Sequence, residues 1–163
     1  MPAPPGSATS PASASVQDPG LGPVVDEGYP VSLEQLRTEL PSNRYWTDQA
    51  PTRDPEELRR READAAGWNQ LLGKVRSGTA SDPEIRAYFD HRRRVSEDAI
   101  EFAERVLAAH GTELPDRDRG LLELAVDMHR TRLAELPGEE ADAQARKVEQ
   151  DRRRAEWKGG STP

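Results

Sequence analysis

Two helix-opening signals constrain this chain more than any other feature. Asp54-Pro55-Glu56-Glu57 and Ser81-Asp82-Pro83-Glu84 each set a side-chain acceptor ahead of a proline, with carboxylates behind it. Asp or Ser at the N-cap satisfies an orphan amide, proline suits the first helical position, and acids suit the positive end of the helix dipole. Apolar residues then recur at sums of three and four. After the first signal these are Leu58, Ala65, Trp68, Leu72 and Val75. After the second they are Ile85, Tyr88, Phe89, Val95, Ala99, Phe102, Ala103, Val106 and Leu107. That spacing is helical. No period-2 alternation of useful length occurs, so no strand is expected.

The second helix opens either with a Ser81–Glu84 capping box or with Asp82 capping and Pro83 next. Gly78 should stop the first helix, and the second should end near His110 with Gly111 left-handed. A third helix from about Pro115-Asp116 carries Leu121, Leu122, Leu124, Ala125, Val126, Met128, Leu133 and Leu136. Its wide apolar surface predicts a central position, and Pro137-Gly138 predicts its end. A fourth segment from about Glu139 to Trp157 is mostly alanine on its apolar side, with Val148 and Trp157. It is expected to pack weakly, to project, and to fray near Lys158.

The expected fold is therefore all-α. It is a small antiparallel helical bundle, three main helices plus a weaker fourth, spanning residues 54–157 with a disordered N-terminal tail. A chain of 163 residues normally makes one domain. Residues 1–25 are rich in Pro, Ala and Ser and have little to bury, which predicts disorder. Residues 158–163 are expected to be loose. Residues 26–53 read as a linker in which Ser32-Leu33-Glu34-Gln35 has the form of a capping box opening a short helix to about Leu40. Tyr29, Tyr45 and Trp46 also fall in this linker. They read either as an aromatic hook that closes the helical body or as a partner-docking patch, Tyr45 and Trp46 being the candidate partner-binding residues.

Composition narrows the function classes. The formal net charge is −7, which argues against nucleic acid held over the whole surface. Arginine far outnumbers lysine beside many Ala, Gly and Pro residues, as in bacterial GC-rich coding. Three arginine triplets, 59–61, 92–94 and 152–154, could still make local basic patches. Acids at helical spacing neutralise each of them: Glu56, Glu57 and Asp64 around the first, Asp90, Glu97 and Asp98 around the second, Glu149 and Glu156 around the third. Arg92 differs because it lies in the apolar seam of Ile85, Tyr88, Val95 and Ala99. A short antiparallel hairpin puts Glu135 opposite it, so a buried Arg92–Glu135 ion pair is expected.

No constellation for chemistry emerges. His91, His110 and His129 lack the spacing of metal-binding helices, so no metal site and no cofactor are expected. Ser7, Ser10, Ser13 and Ser15 lie in the tail without a nucleophile elbow, and Gly73-Lys74 lacks the rest of a phosphate-binding loop. No catalytic residue can be named, and the chain reads as not an enzyme. No apolar run approaches a membrane span, and membrane-surface binding is disfavoured by the mixed charge of the fourth segment. A cytoplasmic location is expected. Export is the alternative if the true start lies upstream of Met1, since Pro/Ala/Ser tracts also follow anchors. The leading function is a protein-interaction or scaffold module acting through helix faces and the Tyr45-Trp46 segment. Its partner would be another protein or a second copy, perched on the strip left open by the alanine-rich segment. The alternatives are a nucleic-acid-binding helical protein using its arginine clusters and an enzyme or ligand-binding bundle with no identifiable site.

Overall fold

A computed structural model describes residues 28–160. Within them the chain is all-α, with elements α1 (Leu33–Glu39), α2 (Tyr45–Asp48), α3 (Pro55–Ser77), α4 (Asp82–His110) and α5 (Asp116–Gly159). The predicted tail at 1–25 and the last residues of the predicted loose C-terminus lie outside the described residues.

The local opening signals act as the sequence dictates. Asp54 accepts from the Glu56 amide at the start of α3, where Pro55 occupies the first turn. At α4, Ser81 Oγ accepts from the Glu84 amide while Glu84 Oε2 accepts from the Ser81 amide, a complete capping box. Ser32 caps α1 by accepting from Gln35 N, but the Gln35 side chain does not reach back. It donates to Glu39 one turn ahead, so half of the expected box is missing.

The glycine stops differ from each other. Gly78 ends α3 at φ +71°, the left-handed conformation. A Cβ there would also stand 2.9 Å from the Arg146 carbonyl oxygen of α5. Two independent constraints therefore demand glycine at this corner. Gly111 is right-handed at φ −54°, against expectation. Its amide still donates to Leu107 O at 2.9 Å, and a Cβ would press to 2.5 Å from that oxygen. Close approach, not handedness, selects glycine there.

The largest departure from the sequence reading is α5. Pro137-Gly138 does not break it, and the expected third and fourth helices are one helix of 44 residues, about 66 Å long. Proline removes one intrahelical donor and crowds the preceding turn, a cost of about 3 kcal/mol. Leu136 before it and Ala143 after it are both fully buried in one cluster with Val75 of α3 and Ile85, Tyr88 and Phe89 of α4. That burial on both sides of Pro137 holds the helix together, while the proline ring itself faces solvent. Ala143 is the one alanine of the predicted fourth segment that is buried; Ala141, Ala145, Ala155 and Val148 stay exposed. Only beyond Gln150 are all residues of α5 exposed.

Helices α4 and α5 run antiparallel: Arg92 meets Glu139 while Ser96, further along α4, meets His129, earlier along α5. The core lies at the two ends of this hairpin. At one end α3 packs Trp68, Leu71, Leu72 and Val75 onto it. At the other, residues 29–50 supply Val31, Leu36, Tyr45 and Trp46, which pack with Phe102, Val106, Leu114 and Leu122.

Candidate interaction surface

The segment before α3 is fixed by one polar side chain. Asn43 is buried, its Nδ2 donates to Asp98 O at 2.8 Å and Glu101 Oε2 at 2.9 Å, and its Oδ1 accepts from Tyr45 N. With Asn43 satisfied on both sides, the next two rings turn inward. Tyr45 stacks on Phe102 with ring centroids 4.0 Å apart, and Trp46 meets Tyr45 edge-on while its Nε1 donates to Leu40 O. Tyr45 is 6% exposed and Trp46 9%. These rings are core, so they offer no docking surface in this conformation. Tyr29 adds a latch at the far end, its hydroxyl donating to Asp118 Oδ2 at 2.8 Å. Burial first, and then the Asp118 carboxylate, push its pKa up to about 12.

Tyr45 keeps one unmet demand. Its Oη is buried without a hydrogen-bond partner among the described residues, and burial pushes its pKa up. Tyr45 borders a cavity of about 120 Å³ between α2, α4 and α5, shared with Asp98, Ala99 and His129.

Arg92 does not pair with Glu135. Its guanidinium meets Glu139, one turn further along α5, and lies 5.9 Å from the Tyr88 ring centroid. Side chains on a helix lean toward its N-terminus, which carries the Arg92 head toward Tyr88 and so toward the higher-numbered end of an antiparallel α5. The pair is also half-exposed rather than buried, with 30% and 41% of the two side chains open to solvent. It sits at the edge of an open groove that mixes Arg76 and Arg146 with Asp142. With Arg92 and Glu139 included, three arginines face two acids, a surplus of a single positive charge and far less than a polyanion-binding face requires.

The other triplet arginines are neutralised too, except Arg94, which pairs with neither Asp90 nor Asp98 among the described residues. Arg59 reaches Glu56, Arg60 and Arg61 share Glu57, Arg93 reaches Asp90 and Glu140, Arg152 and Arg153 share Glu149, and Arg154 reaches Asp151. Several of these use three-residue spacing where four was expected. Arg61 does more than pair, because it also donates to the carbonyls of Thr47 and Ala50 and so ties α3 to the end of α2.

The histidines serve packing. His91 stacks on Trp68 at 3.7 Å, and burial, reinforced by Arg44, lowers its pKa. His129 Nδ1 lies 3.1 Å from the buried Ser96 Oγ, and burial, then Arg132, lowers its pKa. Among the described residues no three His, Asp or Glu side chains gather as a metal site would require, and no helix is long and apolar enough to cross a membrane.

What the structure leaves open is a stripe of α5. Leu121, Leu124 and Met128 are 40%, 54% and 46% exposed. They lie at spacings of three and four, so they share one helix face. The same spacing continues to exposed Arg117 on one side and to exposed Thr131 and Glu135 on the other. Val126, Leu136 and Ala143 face the core instead. The width of the apolar surface on this helix, which the sequence reading took as the mark of a central element, is in fact two faces: one buried, one outward.

No family model, curated protein or solved structure matches this chain.

Proposed function

We propose that the chain is a non-enzymatic interaction or scaffold module, and that it engages a protein partner through the outward face of α5. The observation that carries this reading is the alignment of Leu121, Leu124 and Met128 on one exposed face. Single exposed apolar residues are ordinary on any protein surface. Three in heptad register over two turns are what a partner helix reads. Covering such side chains yields about 1.5–3 kcal/mol for each one fully buried. The role that the sequence assigned to Tyr45 and Trp46 becomes a supporting one: their rings fix the segment that, through Tyr29 and Asp118, latches the first turn of α5.

A photo-reactive side chain at Met128, introduced in the native host, tests this directly. It should give a covalent adduct to a protein on illumination. The same group at Gln144, exposed on another face of α5, should not. Equal labelling at both positions, or none at Met128, would remove the basis for the reading.

A further inference from the structure

We infer that the occupant of this stripe is a second copy of the chain, its α5 lying antiparallel to the first about a two-fold axis near Val126. This rests on the reading of the stripe as a contact surface and names its partner.

The exposed positions Arg117, Leu121, Leu124, Met128, Thr131 and Glu135 are separated alternately by four and three residues, the seam of a two-helix coiled coil. Reversing their order about Val126 maps the set onto itself. Leu124 falls on Met128, Leu121 on Thr131, and Arg117 on Glu135. An antiparallel second copy therefore meets apolar side chains at the centre and an Arg–Glu pair at each end. A parallel copy would set Arg117 against Arg117 and Glu135 against Glu135, which is repulsive.

The charges needed for this are uncommitted. Neither Arg117 nor Glu135 forms an ion pair with another described residue, although Arg119 and Arg130 nearby do. On one flank the same two-fold brings Asp118, whose carboxylate also accepts from Tyr29 Oη, beside Arg132, and Arg132 has no ion pair among the described residues. A contact in which one patch serves both subunits is the form that a two-fold dimer takes.

The same register has one unfavourable contact. Asp127, on the other flank, comes beside its own symmetry mate. With three apolar side chains from each copy, the interface is small, so the dimer is weak and reversible.

Sedimentation equilibrium of the full chain, over a series reaching roughly 1 mM, tests the inference. Wild type should associate reversibly, and Leu124→Asp should stay monomeric with its helical circular dichroism unchanged. Arg117→Glu and Glu135→Arg should each weaken association roughly tenfold, since attraction becomes repulsion at two symmetric contacts. The double variant Arg117→Glu/Glu135→Arg should recover wild-type association, as should an equimolar mixture of the two single variants. Asp127→Asn should tighten it. A wild-type chain that stays monomeric throughout, or single charge variants that associate like wild type, would overturn the pairing. If the chain is monomeric while the photo-reactive Met128 variant captures a different protein, only the self-pairing fails. If it is monomeric and captures nothing, the interaction reading fails with it.

Discussion

Tyr45 lies flat against Phe102, ring centroids 4.0 Å apart and planes 20° from parallel, so that α2 is welded to α4 by an aromatic contact across 57 residues of chain. Trp46 closes the same cluster edge-on against both rings. The two neighbours nevertheless make opposite demands. Trp46 has its polar atom satisfied by Leu40 O at 2.6 Å, whereas Tyr45 Oη is buried with no partner among the described residues.

Truncating Trp46 should therefore be severe and removing one oxygen from Tyr45 should not. Trp46→Ala is expected to cost about 3–5 kcal/mol in urea unfolding, from lost packing together with one of the two hydrogen bonds that Leu40 O accepts. Tyr45→Phe should leave stability within about 1 kcal/mol of wild type or raise it, because it deletes a buried hydroxyl with no partner. A large loss for Tyr45→Phe would mean that the hydroxyl has a strong partner.

The corner at Gly78 should tolerate no side chain. Gly78→Ala is expected to lower stability by about 1–3 kcal/mol, since the left-handed φ is strained for alanine and the new Cβ must push the Arg146 carbonyl of α5 aside. Gly67, with open space where a Cβ would sit inside α3, is the control. Gly67→Ala should stabilise the chain slightly, because alanine is the better helix former.

Replacing Arg92 by Met or Glu139 by Gln should change stability by only about 0–1 kcal/mol, because the pair is half-exposed. The loss expected of a fully buried pair, several kcal/mol when one partner is removed, should not be seen.

Two pH windows follow from the titrating groups. Burial holds His91 and His129 below the ordinary value of 6.5, so the folded chain protonates them less readily than the unfolded chain. Their contribution is complete above about pH 6.5 and declines as the pH falls through the lower, folded values. Urea midpoints should thus drop between about pH 7.5 and pH 5.5, and the double variant His91→Gln/His129→Gln should flatten that drop. Glu84 acts further down. The Lys74 hydrogen bond, and then the Ser81 amide, hold its carboxyl at about 2. Its contribution is complete above 4.5 and is lost as the pH falls toward 2, so Glu84→Gln should remove part of the loss in that lower window.

What was legible in the sequence was local. Asp54, Pro55, Ser81 and Glu84 act within one turn of themselves, so their spacing alone located the starts of α3 and α4. Pro137 was misread because its local rule lost to tertiary burial: Leu136 and Ala143 are anchored by helices that the local pattern cannot see. The partner of Arg92 was missed by one turn because residue spacing gives the register of two backbones but not the lean of a long side chain between them. The orientation of Tyr45 and Trp46 depended on Asn43, whose bonds reach residues more than fifty positions away. On α5 the outward stripe was hidden among inward leucines, and only the positions of α3, α4 and the N-terminal segment sort one face from the other.

Disulfide capture reads the central claim most directly, because the chain contains no cysteine and the background is zero. Arg117→Cys and Glu135→Cys chains carrying different tags would be mixed at high concentration and oxidised. The expected product is a disulfide between unlike tags in large excess over the two like-tag products, and Leu124→Asp introduced into both chains should abolish it. Like-tag and unlike-tag products in statistical proportion, or no cross-link at all, would contradict an antiparallel contact through the exposed face of α5.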